Sequence, residues 1–268
     1  MKKNIFSRPD YTYKKDSNAV KWIIQDDANP LLRIAKKLEK NSTVLDIGAG
    51  NGLFADVVTE LGININLHGI EPNSIGAEIA KSKYKTFFQG YLSEYIQSRD
   101  FVTKFDAIVL ADVIEHVPNS IDLLQDVKLL LNAGGVIYLS VPNVSFASLR
   151  ASLLAGSWDY GDWGLLERTH LRFFTKKTLM SVAESLEMKV LAIDYLMRSP
   201  FNMDIKIQDY DVHPITLCKM SKDPLAFVYQ FVVKLVMGQN IDEYDEQWFG
   251  EFPKHLAWQY IAKRYLTR

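Results

Sequence analysis

The chain has 268 residues, of which 48% are hydrophobic and 24% are charged, and its formal net charge is −1. A chain of this size can bury a large core, and the balanced charge gives no indication of a polyanionic partner such as DNA. The single cysteine, Cys218, excludes an intrachain disulfide and a cysteine zinc site and favours a reducing, cytoplasmic location. No stretch of about 18 apolar residues is present, so no membrane span is predicted.

The N-terminal residues 1–28 are polar and aromatic, and we interpret them as an arm or lid laid over a binding pocket. Asn29 and Pro30 follow as a capping residue and a first-turn proline. Together they predict the start of a helix that runs from Leu31 to Glu39.

A strand, a glycine turn and a helix then follow one another without a gap over residues 44–61. The turn contains Gly48, Gly50 and Gly52, which suit a backbone that approaches a ligand closely or adopts positive φ. A second short strand ends in Glu71, where a carboxylate can accept hydrogen bonds from ribose hydroxyls. This βαβ unit predicts a nucleoside pocket at the carboxyl ends of the strands.

The spacing of the turn differs from that of a dinucleotide site. The glycines read G-x-G-x-G rather than G-x-G-x-x-G, and Asp46 would repel a pyrophosphate at the helix N-terminus. A ligand with a cationic centre and an amino group fits this acid better.

Strands and helices continue to alternate, which predicts a doubly wound, mostly parallel sheet with helices on both faces. The predicted elements are Ile75–Lys83, Thr86–Gln89, Leu92–Gln97, Ala107–Leu110, Ile121–Leu131, Val136–Val141, Ser145–Leu154, a helix from Thr175, a strand at Met188–Tyr195 and a last strand at Ile215–Lys219. The apolar stretch Leu225–Met237, broken by Gln230 and Lys234, is read as an amphipathic helix. We therefore expect residues 29–220 to form the main domain and 221–268 a C-terminal helical extension that packs on it or forms a homodimer contact.

Two clusters of polar residues carry candidate chemistry. Asp112, Glu115 and His116 follow the fourth strand at helical spacing, and His170 lies in a polar segment before a later helix. These side chains can bind a metal, can serve as a general base, or can simply cap a helix and bond within a loop.

The run Val44 to Gly52, VLDIGAGNG, resembles the first motif of the class I S-adenosylmethionine-dependent methyltransferases. The ribose-binding acid of that family falls on Glu71, and the later strands match Phe105–Leu110 and Gly135–Asn143 in family order, over residues 42–195. The resemblance implies a Rossmann-like α/β fold with a seven-stranded sheet and S-adenosylmethionine as cofactor. The cofactor-binding residues that it implies are Asp46, Gly48, Ala49, Gly50, Gly52, Glu71, Pro72, Tyr91, Leu92, Ala111 and Asp112.

One position departs from the family. An acid that often holds the adenine amino group after the third strand is missing, and the chain has Gln89-Gly90-Tyr91-Leu92 there. Stacking on Tyr91 or a backbone contact at Leu92 is the expected substitute.

The clusters also resemble a metal-holding subset, which includes small-RNA 2′-O-methyltransferases and quinone-biosynthesis O-methyltransferases. That resemblance implies Mg²⁺, Mn²⁺ or Zn²⁺ on Asp112, Glu115, His116 and His170. The metal-free alternative uses His116 or His170 as general base, oriented by Glu115.

The segment Asp159 to Thr175 resembles methyltransferases of bacterial surface-polysaccharide biosynthesis. It implies a sugar or phosphoryl-linked glycan acceptor, with Trp158 and Trp163 stacking on a sugar and Arg168 and Arg172 holding a phosphate. The alternatives are a quinone-type phenol, an RNA 3′ end, a subunit of this fold that performs no transfer, and a nucleotide-linked oxidoreductase or epimerase.

Overall fold

The structure is a computed structural model that describes residues 18–98, 103–238, 244–251, 259–260 and 263. Most of the predicted N-terminal arm, residues 1–17, lies outside the described residues, as does much of the end of the predicted extension. All segments between Asn29 and Met237 for which a strand or helix is predicted are among the described residues, so each prediction can be compared with the structure.

The helices of the described residues are α1 (Ala19–Gln25), α2 (Pro30–Ala35), α3 (Leu53–Glu60), α4 (Ser74–Ala80), α5 (Leu92–Gln97), α6 (Ser120–Leu129), α7 (Ala147–Leu154), α8 (Lys176–Ser185) and α9 (Pro214–Met220). The strands are β1 (Thr43–Ile47), β2 (Asn66–Glu71), β3 (Thr86–Gln89), β4 (Phe105–Ala111), β5 (Leu131–Pro142), β6 (Met188–Met197), β7 (Val228–Met237) and β8 (Asp245–Phe249).

These strands form one sheet in the order β3-β2-β1-β4-β5-β7-β6-β8. Within this described sheet only β7 runs antiparallel to its neighbours, since the β1–β2, β1–β4, β2–β3, β4–β5 and β6–β8 pairs are parallel. The predicted Rossmann-like, mostly parallel α/β fold is confirmed. The sheet has eight strands rather than the predicted seven because β8 adds to the edge beside β6.

Both faces of the sheet are buried, and strand β1 shows which of its side chains pack on each face. Val44 packs into the core cluster beneath α1, α2 and α3, whereas Leu45 and Ile47 pack into the cluster on the opposite face. Successive strand side chains point to opposite faces, so an almost continuous apolar run fits a strand covered on both sides.

Two predictions for the C-terminal part are wrong. The stretch read as the helix Leu225–Met237 is mainly strand β7, and the stretch read as the last strand, Ile215–Lys219, lies in helix α9. Strand β7 has four valines, which favour strand, and its polar residues Gln230 and Lys234 are four apart, a spacing that suits one face of a helix and of a strand alike. Helix α9 begins with Pro214 at its first position, where proline is favoured.

The predicted boundary at residue 220 therefore does not separate a core from a helical extension. Strand β7 lies between β5 and β6, where Phe231 and Val233 are fully buried.

In the N-terminal part of the described chain, helix α1 places Ile23 in the core with α2 and α3. No helix within the described residues is long and apolar enough to cross a bilayer.

We expect Phe231→Ala to lower the free energy of unfolding by about 3–5 kcal/mol, because it empties a fully buried site in the middle of the sheet. Urea unfolding followed by circular dichroism measures this change. Lys189→Ala at an exposed position of β6 is the matched control and should change stability by about 0.5 kcal/mol or less. An equal, small effect of both variants would contradict the central position of β7.

Candidate functional site

The glycine turn after β1 is held against β2 by its own backbone. The amides of Gly48 and Ala49 both donate to the carbonyl of Ile70, at 2.9 and 3.0 Å. Gly48 has φ +75°, and a Cβ there would lie 2.7 Å from Val113 Cγ2. Any side chain at this position would therefore strain the backbone and displace Val113.

The carboxylate of Glu71 links the glycine turn to the turn after β2. One oxygen accepts from the Gly50 amide and the other from the Asn73 amide, both at 2.7 Å. Glu71 is 6% exposed and ends β2, so two backbone donors fix a buried carboxylate at the carboxyl edge of the sheet. Each oxygen can accept a further hydrogen bond from a ligand.

A cavity of about 490 Å³ opens at this edge, where the carboxyl ends of β1, β2 and β4 meet. Its lining combines the glycine turn, the β2 and β3 ends, the segment after β4 and a loop before α8. The lining residues are Ile47, Gly48, Gly50, Ile70, Glu71, Pro72, Asn73, Gly90, Tyr91, Leu92, Asp112, Val113, His116, Val117, Leu123, Arg168, Thr169 and Leu171. No residue of 18–28, the described part of the predicted lid, belongs to this lining.

Most of the predicted cofactor residues line the cavity: Gly48, Gly50, Glu71, Pro72, Tyr91, Leu92 and Asp112. The structure places four others outside the lining: Asp46, Ala49, Gly52 and Ala111. Ala49 lies in the core beneath α3, and a Cβ at Gly52 would lie 3.2 Å from the Ala80 backbone. Gly52 thus permits close packing of α3 on α4.

Asp46 does not line the cavity. Its carboxylate accepts a hydrogen bond of 2.6 Å from the Tyr84 hydroxyl and is 3% exposed. Burial raises the pKa of Asp46 to about 7, and the nearby charge of Glu71 adds to the shift. Asp46 shares a strand face with Val44, which explains why an acid two residues before the turn does not reach the ligand side.

A second group of polar residues borders the cavity beyond Asp112. Glu115, His116 and His170 each offer one ligand atom, and these atoms lie within 4.8 Å of one another. Glu115 is 1% exposed, and neither of its carboxylate oxygens has a hydrogen-bond partner within the described structure. Burial, with the charge of Asp112 adding to it, raises the pKa of Glu115 well above its usual value.

The two imidazoles are packed edge to face, with ring centroids 4.8 Å apart. His170 is 7% exposed, and its Nδ1 lies 3.0 Å from the Leu165 carbonyl. Burial lowers the pKa of His116, and the neighbouring His170 lowers it further, so the ring is neutral at pH 7.

Asp112, the fourth predicted metal ligand, lies outside this cluster. One of its carboxylate oxygens accepts from the Ser140 hydroxyl at 2.6 Å and from the Gln230 amide. Its backbone has φ +55°, which is strained for a residue with a side chain. The structure thus brings together three of the four residues and places Asp112 between them and the glycine turn.

Of the four predicted acceptor residues, only Arg168 lines the cavity, and its guanidinium pairs with Asp162 at 2.6 Å. Trp163 is 61% exposed, and Trp158 packs edge to face on Phe173. Arg172 lines a separate groove beside α8. The structure therefore does not bring the two tryptophans and two arginines together.

Sequence reasoning missed most of the apolar lining and two polar residues. Val113, Val117, Leu123 and Leu171 are the apolar residues on the side of His116, and the polar residues are Asn73 and Thr169. The positions of Val113 and Val117 in the sequence could have identified them as lining residues. They lie close to His116 after a central strand, and residues there reach the edge of the sheet where ligands bind.

The comparisons with known proteins agree with this geometry. A family model described as a methyltransferase domain matches residues 23–193, which is more than half of the chain. The chain belongs to the class I S-adenosylmethionine-dependent methyltransferase family. The predicted family is thereby confirmed.

Curated relatives of the chain include ubiquinone biosynthesis O-methyltransferases. The one from Actinobacillus pleuropneumoniae serotype 7 is 30% identical over 108 residues, 37% of this chain and 45% of the relative. The one from Colwellia psychrerythraea is 24% identical over 188 residues, 66% of this chain and 73% of the relative. The chain spans about half the length of the first relatives it matches.

Solved structures show the same methyltransferase fold. An S-adenosylmethionine-dependent methyltransferase from Archaeoglobus fulgidus has a TM-score of 0.55 at 18% identity, covering 78% of this chain and 92% of that one. The 1,6-didemethyltoxoflavin-N1-methyltransferase of Burkholderia thailandensis has a TM-score of 0.52 at 16% identity, covering 84% and 83% of the two chains.

We expect the Asp46→Asn variant to be more stable than the wild type above pH 7, by about 2–4 kcal/mol. The folded protein binds the Asp46 proton up to a pKa of about 7, whereas the unfolded chain releases it near 3.8. Burial of the ionised group therefore destabilises the fold most above pH 7, and the difference between the two proteins should shrink as the pH falls from 7 towards 4.

Urea unfolding at several pH values measures this difference. Asp27→Asn, at a carboxylate whose side chain is 72% exposed, is the control and should follow the wild type at every pH. Parallel curves for the wild type and Asp46→Asn between pH 5 and 8 would contradict the assignment.

Proposed function

We propose that this protein transfers the methyl group of S-adenosylmethionine to an oxygen of a small-molecule acceptor. The supporting observation is that one cavity is lined both by the glycine turn with Glu71 and by Asp112 and His116. The cofactor and a reacting group therefore have adjoining places in one space, as an in-line transfer requires.

In this proposal the cofactor lies along the glycine turn. The carboxylate of Glu71, already fixed by two backbone amides, accepts the ribose hydroxyls. Tyr91 and Leu92, neither of which is an acid, flank the place of the adenine. The sulfonium then faces Asp112, a carboxylate whose orientation is set by Ser140 and Gln230.

A divalent metal fits the group formed by Glu115, His116 and His170. A buried carboxylate without a partner in the described structure is costly, and a cation held by it and the two imidazoles would remove that cost. When bound, Mg²⁺, Mn²⁺ or Zn²⁺ supplies Lewis-acid chemistry that lowers the pKa of an acceptor hydroxyl. Without the metal, neutral His116 is the residue at the cavity that can take the acceptor proton.

For the acceptor we favour a phenol that carries a second oxygen beside the methylated one. The apolar wall of Val113, Val117, Leu123 and Leu171 suits an aromatic ring, and the curated relatives are named for ubiquinone biosynthesis. A sugar or phosphoryl-linked glycan precursor is the second candidate, and Arg168 in the lining favours it.

An assay with a panel of catechols and sugars separates the two candidates. The production of S-adenosylhomocysteine with each acceptor is measured by mass spectrometry. If no acceptor of either class gave this product, the proposal would be contradicted.

The Glu71→Ala variant should bind S-adenosylmethionine about 10- to 100-fold more weakly, because it loses the acceptor of the ribose hydroxyls and releases the Gly50 amide. Isothermal titration calorimetry measures the affinity. The control is Glu78→Ala on α4, where an exposed glutamate pairs with Lys81. Unchanged affinity in Glu71→Ala would reject this cofactor position.

If the metal is used, EDTA should abolish turnover and added Mn²⁺ or Mg²⁺ should restore it. Glu115→Gln keeps the volume of the side chain and removes its charge, so it should weaken Mn²⁺ binding at least about tenfold. Calorimetry with Mn²⁺ measures this loss. Full turnover in EDTA would favour His116 as the general base.

A further inference from the structure

Both imidazoles of the cluster are held at Nδ1 by the loop before α8. Thr169 Oγ1 lies 2.9 Å from His116 Nδ1 and 2.6 Å from an oxygen of Glu167, and the Leu165 carbonyl lies 3.0 Å from His170 Nδ1. The loop itself is tied to the cluster, because the amides of Leu171 and Arg172 donate to the Glu115 carbonyl at 2.7 and 3.0 Å.

The number of protons on these atoms determines their roles. A threonine hydroxyl has one proton, and the carboxylate of Glu167 can only accept, so the hydroxyl donates to Glu167. Thr169 Oγ1 must then accept from His116, which places the proton of the neutral ring on Nδ1 and the lone pair on Nε2. The carbonyl of Leu165 can likewise only accept, so His170 also has its proton on Nδ1.

The His170 anchor has its own support. The Leu165 amide donates to Asp204 at 2.8 Å, and the Tyr229 hydroxyl donates to the other oxygen of Asp204 at 2.9 Å. A Cβ at Gly164 would lie 2.0 Å from this carboxylate, so Asp204 occupies the space that only glycine leaves open. The Nδ1 anchors of the two rings are therefore separate, although the second oxygen of Glu167 lies 4.0 Å from His170 Nε2.

We propose that Thr169, held by Glu167, is a positioning residue that keeps His116 in the Nδ1-protonated tautomer and so presents Nε2 to a metal or to an acceptor proton. The use of Nε2 rests on the proposed function, but the tautomer does not. Metal-binding histidines commonly donate their other ring N–H to such an oxygen, which fixes the orientation of the ring. Thr169 acts on the reaction through His116.

The test is the tautomer of His116, read from ¹⁵N chemical shifts of the histidine rings at pH 8 in protein without metal or acceptor. The chain has five histidines, and the signals of His116 and His170 are assigned by their loss in His116→Gln and His170→Gln. Thr169→Val removes the hydroxyl at nearly constant volume, whereas Thr169→Ser keeps it and is the matched control.

We expect Nδ1–H on His116 in the wild type and in Thr169→Ser, and a shift to Nε2–H in Thr169→Val. His170 is the internal control, because its separate anchor should keep Nδ1–H in all three proteins. The affinity for Mn²⁺ in calorimetry should fall about 10- to 100-fold in Thr169→Val and should recover in Thr169→Ser.

Nε2–H on His116 in the wild type, or Nδ1–H retained in Thr169→Val, would overturn the proposal. A change of tautomer at His170 in Thr169→Val would do the same, since it would mean that the whole loop had moved. A protein that shows the expected tautomers but transfers no methyl group would instead refute the proposed function and leave this inference standing.

Discussion

The carboxylate of Glu71 is the contact on which the proposed cofactor end of the site depends. It accepts backbone amides from Gly50 and Asn73, and so connects the turn after β1 with the turn after β2. Both turns leave a pair of parallel strands at the same edge of the sheet. A single acidic residue thus fixes the shape of the cavity wall and also offers the acceptor that a ribose needs.

The second half of the site depends on the buried carboxyl group of Glu115. Glu115 has no hydrogen-bond partner in the part of the chain that the structure describes, and its burial favours the protonated acid in the absence of a cation. The imidazoles of His116 and His170 beside it complete a set of ligand atoms that suits a divalent ion. The surrounding loop contributes fixed oxygens of Thr169 and Leu165 at the two Nδ1 atoms, and the carboxylate of Glu167 lies 4.0 Å from His170 Nε2.

Features formed by residues close together in the sequence could be predicted, whereas features that depend on how distant segments pack could not. The glycine turn and Glu71 lie 21 residues apart within one βαβ unit, so spacing alone placed them together. Asp46 was predicted on the ligand side because a linear motif does not show which strand face a residue occupies. The tryptophans at 158 and 163 were grouped with Arg168 by sequence proximity, yet the loop turns their side chains to other surroundings. The polar spacing in β7 fitted a helix and a strand equally, and only the pairing with β5 and β6 decided between them.

The position of β7 has a consequence for how this chain must fold as it leaves the ribosome. Strand β6 is made before β7, but within the described sheet its partners are β7 and β8. A nascent chain that ends at β6 therefore carries ten residues of largely apolar strand before either of these partners exists. Strand β6 can therefore join β5 through β7 only when translation has passed residue 237.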